Sequence, residues 1–204
     1  SFCMCPGGYV VNASSEAGGT VVNGMSYADR GSSNANAAII VSVGPEDFLR
    51  YGEGVLAGLS YQEVLERRAY QAGQGNIPVQ LFGDFLKQRE SHAFGGIEPC
   101  FAGQYRFAAL NGILDAPLEE AFLEGMASFG RRIKGFDAAD VILAGVESRT
   151  SSPLRILRNS ELQANIEGFY PCGEGAGYAG GITSAAMDGI RVAEAVIARY
   201  TPKY

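Results

Sequence analysis

Histidine and cysteine are scarce: His92 is the one histidine in 204 residues, and the cysteines are Cys3, Cys5, Cys100 and Cys172. A single histidine excludes a multi-histidine metal centre and weakens any serine–histidine–aspartate triad. Four cysteines are too few to staple a chain of this length, and the Cys3-Met4-Cys5 spacing is tighter than zinc sites use. Residues two apart rarely reach disulfide geometry. The four are therefore read as buried, reduced thiols, which implies a reducing compartment and a cytoplasmic location. Basic runs are missing as well: 16 basic against 22 acidic side chains leave a net charge of −6. Neither nucleic acid nor an anionic membrane surface is expected as a partner. No apolar stretch approaches the roughly 20 residues of a membrane helix. A leader pattern is absent too, because Ser1-Phe2-Cys3-Met4 is apolar from the outset and reads like the middle of a strand.

Apolar residues and glycine are plentiful. Apolar side chains make up 47% of the chain, enough for a sizeable core. The 28 glycines are about twice the usual ~7% and follow no period, so much of the backbone must turn tightly or approach something closely.

Three blocks follow. Residues 1–44 read as β-rich: Tyr9–Ala13 and Thr20–Asn23 alternate like hairpin strands around Glu16-Ala17-Gly18-Gly19, and Ala37–Val43 reads as a strand buried on both faces. Residues 45–135 read as an inserted, mainly helical subdomain. Ser60-Tyr61-Gln62-Glu63 has the form of a capping box for a helix ending near Gly73. A short helix is expected at Phe82–Arg89, and Ala116-Pro117 opens a longer one that Gly135 stops. Residues 136–204 read as α/β, with strands at Asp140–Val146, Leu154–Leu157 and Gly168–Cys172. A final helix spans about Ile182–Arg199, with an apolar stripe of Ile182, Ala186, Ile190, Ala193 and Ile197. The fold class is mixed α/β.

Between the last strand and that helix, Gly175-Ala176-Gly177-Tyr178-Ala179-Gly180 matches G-x-G-x-x-G. Backbone N–H groups in such a turn favour negative charge. An ordinary dinucleotide fingerprint also needs a following strand that brings an acidic residue about 20 positions on to the ribose, so this turn is not expected to be one. Two readings remain for the residues alone: glycines that let strand and helix pack, or one wall of a larger cofactor site. In the second, Glu174 accepts hydrogen bonds from sugar-alcohol hydroxyls, and the N–H groups of Gly181 and Ile182 face negative charge on a flavin ring.

The run Tyr170-Pro171-Cys172-Gly173-Glu174-Gly175-Ala176-Gly177-Tyr178-Ala179-Gly180-Gly181-Ile182, continuing Ser184-Ala185-Ala186-Met187-Asp188-Gly189-Ile190, resembles the end of FAD-dependent dehydrogenases of the NAD(P)/FAD-dependent oxidoreductase superfamily, in a bacterial branch. Further matching segments are Phe2-Cys3-Met4-Cys5-Pro6-Gly7-Gly8, Asn23-Gly24-Met25-Ser26, Arg30, Asn34-Ala35-Asn36-Ala37 and Gly145–Pro153. The resemblance implies a partial FAD/NAD(P)-binding-type domain. It assigns Gly173, Glu174, Gly175, Ala176, Gly177, Gly180, Gly181 and Ile182 to the cofactor. Arg149, Thr150, Ser151, Ser152, Met4, Cys5, Arg30 and Asn36 fall near substrate or flavin. It also implies an N-terminal FAD-binding segment carrying a glycine-rich ADP-binding turn, which this sequence does not contain. The chain is thus expected to be the C-terminal part of an oxidoreductase, inactive alone and active on a small molecule when joined to that segment, with NAD(P)H as a candidate electron donor. The alternatives are a nucleotide-binding module built on residues 175–180 and a non-catalytic binding domain.

Overall fold

The computed structural model describes Ser1 and residues 3–200; Phe2, part of one motif above, and residues 201–204, the end of the third block, lie outside it. In chain order the elements are β1 (Met4–Cys5), β2 (Gly8–Asn12), β3 (Val22–Ser26), β4 (Asn36–Ala37), α1 (Pro45–Phe48), α2 (Ala57–Gly73), β5 (Ile77–Leu81) and α3 (Phe82–Phe85). They continue with β6 (Phe101–Ala102), β7 (Tyr105–Phe107), α4 (Ala116–Arg132), β8 (Ile142–Ala144) and α5 (Ile182–Tyr200). The fold is mixed α/β. The chain divides into two compact units: Ser1–Asp47 with Tyr61–Ser148, and Phe48–Ser60 with Arg149–Tyr204.

The first unit is built on small sheets. β2 pairs antiparallel with β3, Gly8 opposite Ser26 and Asn12 opposite Val22, as the hairpin pattern predicts. Its other edge pairs parallel with β6, and β1 pairs with β4. β5 is the centre of a third sheet, parallel to β7 and antiparallel to β8. Strands β5, β6 and β7 come from residues 45–135, where the sequence reads as mainly helical. Pro78 hides β5, because a proline inside an apolar run argues against a central strand. It is tolerated here because Pro78 lies outside the paired β8 residues and acts as an acceptor, taking the Gly145 N–H on its carbonyl at 3.3 Å.

Ile77 and Val79 project from one face of β5 into a core with Val22, lined by Val10, Phe94, Phe101, Phe107 and Ile142. On its other face Gln80 is fully buried. Its amide donates to the Arg89 carbonyl and to Asn111, and its carbonyl accepts the Leu110 N–H at 2.7 Å. A second core gathers Ala69, Phe85, Leu110 and Ile113, with Phe122 of α4 stacked edge-on against Phe85. From Tyr61 onward, α2 supplies the buried apolar side chains Tyr61, Leu65 and Ala69 at four-residue spacing, the period of one helix face.

Several expectations are corrected. α2 begins at Ala57, so Ser60 lies inside the helix rather than capping it. Beyond Ala37, the run to Val43 has no regular structure and leaves Ile40 and Val43 exposed, because no second strand covers it among the described residues. Leu154–Leu157 and Gly168–Cys172 are not strands. Cys3 and Cys172 are exposed and Cys5 and Cys100 half-buried, so the thiols are free but not buried. On α5, Asp188 and Val192 are the buried residues, while Ile182 and Ile190 are 93% and 60% exposed.

Because Ile77 has no solvent exposure and sits where the strands of this core meet, Ile77→Ala is expected to destabilise the protein by about 3 kcal/mol. Urea denaturation followed by tyrosine fluorescence measures this. A loss below about 1 kcal/mol would show that the site collapses around the cavity and that β5 is not the core's centre.

Candidate functional site

The candidate site lies in the second unit, on the glycine-rich segment 173–181 and the chain at 151–158 beside it. The segment is not a strand-turn-helix; it is a succession of tight turns. Gly173 and Gly177 have φ of +71° and +81°, which favours glycine. Gly177 N–H donates to the Glu174 carbonyl at 2.8 Å and Tyr178 N–H to the Gly173 carbonyl at 3.0 Å. A Cβ on Gly177 would overlap the Leu154 carbonyl and crowd Arg155. The Ile156 N–H meanwhile donates to the Ala176 carbonyl at 3.2 Å, so the neighbouring chain is laced to the turn.

One ion pair anchors this arrangement. Asp188, in the second turn of α5, accepts both guanidinium nitrogens of Arg158 at 2.6 and 2.9 Å and the Gly173 N–H at 2.9 Å. Arg158 also donates to the Pro171 carbonyl at 2.8 Å. Both side chains are about nine-tenths buried. The Arg158 guanidinium lies 3.6 Å from the centre of the Tyr178 ring, whose hydroxyl donates to the Ile156 carbonyl. The Arg158 hydrogen bond, reinforced by the Gly173 N–H and opposed by burial, holds the Asp188 carboxyl down at about 2.

Beside the turn is an open cleft of about 300 Å³, lined by Ser151, Ser152, Arg155, Gly177, Tyr178, Ala179 and Gly180. Arg155 is fixed there by donation from Nε to the Gly177 carbonyl at 2.9 Å. Ser152 turns its hydroxyl to the Leu154 carbonyl. At the start of α5 the Gly181 N–H is taken by the Ser184 hydroxyl, which returns a bond to the Gly181 carbonyl. Gly181 therefore caps the helix and does not offer its N–H outward.

Of the residues singled out in the sequence, the cleft brings together Ser151, Ser152, Gly177 and Gly180. Thr150 is half-buried and Arg149 exposed, and neither lines the cleft. Glu174 is exposed at the rim of the turn, with its carboxylate bonded to no described residue, while Ala176 is buried. Ile182 is exposed. Met4, Cys5, Arg30 and Asn36 belong to the first unit. There Cys5 faces Asn36 across the β1–β4 pair, and the Asn36 amide fills the space above Gly8 and Gly24. The Arg30 backbone, at φ +49°, packs on Gly7. Also in that unit, Glu147 accepts from the Asn23 amide at 3.3 Å, and burial pushes its carboxyl above the usual range.

Arg155, Arg158, Tyr178 and Asp188 were not assigned from the sequence. The one available signal was Asp188, a carboxylate between the apolar Met187 and the Gly189-Ile190 pair of α5. Among the described residues no group of histidine, cysteine, aspartate or glutamate could hold a metal ion. No described helix is long and apolar enough to cross a membrane.

A family model described as "FAD-dependent protein, C-terminal domain-like" matches residues 1–150. The chain belongs to this family of FAD-dependent proteins. An uncharacterized protein of Clostridium beijerinckii is 49% identical over 203 residues, which is 98% of this chain and 38% of that protein. The chain thus spans well under half the length of this relative.

Removing the anchor gives a direct test. Asp188→Asn leaves Arg158 buried without its counter-charge and is expected to cost about 3 kcal/mol or more of stability. A folded-state carboxyl near 2, below the unfolded value near 4, adds stability that is complete above about pH 4 and is lost as the pH falls toward 2. Chemical denaturation across that range should therefore show a steeper acid loss in the wild type than in Asp188→Asn. Equal slopes would mean that Asp188 does not carry the pair's charge.

Proposed function

We propose that this chain is the C-terminal part of an FAD-dependent oxidoreductase and that the segment 173–182 forms one wall of its flavin site. The observation that carries the reading is a division among the glycines. Gly177 is required by packing and Gly173 by its backbone conformation. At Gly175 and Gly180 an added Cβ would meet nothing within 4 Å, and neither lies at positive φ. The packing explanation for a glycine-rich turn does not reach these two. A flat ring or a sugar-alcohol chain lying on the backbone does.

In this reading Glu174, whose carboxylate at the rim is bonded to no described residue, holds hydroxyls of the cofactor. Gly173, Gly175, Ala176, Gly177, Gly180, Gly181 and Ile182 form the surface it lies on. Ser151 and the outer guanidinium nitrogens of Arg155 present donors to an anionic group of substrate or cofactor across the cleft, with Arg149, Thr150 and Ser152 next to them in sequence. Bound FAD supplies the hydride or electron chemistry, with a small molecule as substrate and NAD(P)H as an electron donor. An FAD-binding segment of the same polypeptide contributes the rest of the cofactor's contacts. The relative's greater length and the words "C-terminal domain" in the family's description support this. Free thiols support a reducing, cytoplasmic setting. A self-sufficient nucleotide-binding module is the weaker reading, because no described strand flanks the turn.

The test is flavin content of the full-length protein, read as absorbance between about 370 and 450 nm. Gly180→Val is expected to remove the flavin and leave the melting temperature of the apoprotein unchanged, since its side chain has room within the described structure. Retained flavin in Gly180→Val, or a colourless wild type, would contradict the proposal.

A further inference from the structure

We propose that Arg155 holds a carboxylate and that the cleft beside the glycine turn is the subsite of a small carboxylic acid substrate. The role of substrate rests on the flavin reading above; the carboxylate site itself rests on this chain alone.

Two arginines three residues apart meet the same ring and are used differently. The Arg158 guanidinium lies 3.6 Å from the centre of the Tyr178 ring and that of Arg155 lies 5.0 Å from it. Arg158 is spent: Asp188 takes both of its terminal nitrogens, and the Pro171 carbonyl takes a further bond. Arg155 gives only its Nε, to the Gly177 carbonyl at 2.9 Å, and its two terminal nitrogens bond to no described residue. That bond and the Tyr178 ring hold the guanidinium in place before any ligand arrives, so less side-chain freedom is lost on binding. The edge left open is the Nη1–Nη2 pair, a fork that matches the two oxygens of a carboxylate. Ser151, exposed on the same cleft, adds a hydroxyl. No acidic side chain lines the cleft, and the Asp188 charge is already matched by Arg158. Arg155 therefore gives the cleft an uncompensated positive charge.

The backbone argues against a phosphoryl group. Phosphates are commonly seated on the N–H groups of a glycine turn or a helix start. Here the Gly177 and Tyr178 N–H groups turn back onto the Glu174 and Gly173 carbonyls, and the Gly181 N–H onto the Ser184 hydroxyl. One guanidinium fork without those donors suits a planar monoanion. FAD and NAD(P)H carry phosphates and no carboxylate, so a carboxylate in this cleft belongs to the substrate. Gly180, whose bare backbone is assigned to the flavin wall, lines the same cleft, so an acid held by Arg155 lies beside the proposed ring. A volume of about 300 Å³ is at the small end for ligand sites and suits a small acid.

Arginine protection in the full-length protein tests the proposal. Phenylglyoxal modifies accessible guanidinium groups, and peptide mass spectrometry follows Arg155 against Arg191, which is exposed and lies outside the cleft. Pyruvate, succinate and benzoate are the carboxylate probes, and inorganic phosphate at equal ionic strength is the comparison. At about 10 mM, tenfold above a millimolar dissociation constant, at least one carboxylate is expected to slow modification of Arg155 about tenfold and leave Arg191 unchanged. Phosphate is expected to protect Arg155 less than that carboxylate does. Modification of Arg155 that no carboxylate slows would overturn the proposal. Equal protection by phosphate, or an Arg155 that is shielded in the yellow protein and freed when FAD is removed, would give the fork to a phosphoryl group or the cofactor and also overturn it. Flavin absorbance of the same samples separates this claim from the previous one. A yellow protein in which no carboxylate protects Arg155 sinks the acid subsite alone. A colourless protein in which a carboxylate protects it sinks the flavin reading alone.

Discussion

The buried pair between Asp188 and Arg158 is the constraint on which the second unit depends. Residues 173–181 form neither helix nor strand, and fixing each of them opposes folding by about 1–2 kcal/mol. Their own backbone bonds, Gly177 to Glu174 and Tyr178 to Gly173, cannot offset that sum. Asp188 and Arg158 tie the start of the turn to α5 through the Gly173 N–H and the Pro171 carbonyl. Tyr178, stacked on Arg158, ties its later half to the chain at 156–158. A pair this buried is not a cheap source of stability, since desolvation opposes it. What it provides is a single arrangement, with the turn held at both ends and the backbone at Gly175 and Gly180 left open.

That arrangement separates two uses of glycine within one motif. Gly173 and Gly177 supply backbone conformations and a close approach that side chains forbid. Gly175 and Gly180 supply bare surface. The same pair also sets the orientation of α5, which turns Asp188 inward and its isoleucines outward. An open glycine surface and an open apolar stripe are thus consequences of one anchor.

Much of the first unit was legible in the sequence. The β2–β3 hairpin follows from alternation around a glycine turn, and α4 from Ala116-Pro117 and its apolar spacing. β5 was not legible, because Pro78 carries the signature of a break and only its position beyond the β8 ladder makes it harmless. Ala37–Val43 misled for the opposite reason: an apolar, β-branched run says that a strand would be stable between neighbours, not that neighbours exist. For the second unit the glycine turn was visible but its support was not. Arg158 lies 30 residues from Asp188, and nothing in spacing or composition joins them. The stripe on α5 was read correctly as apolar, yet periodicity reports which residues share a face and not which face is covered.

The central claim is that this turn lies against a flavin, and photoaffinity labelling addresses it most directly. An azido-FAD probe, activated by light in the full-length apoprotein and mapped by peptide mass spectrometry, should attach to the peptide containing residues 173–182, with excess FAD suppressing the attachment. Saturable labelling confined to other peptides, or no labelling that FAD suppresses, would contradict the account.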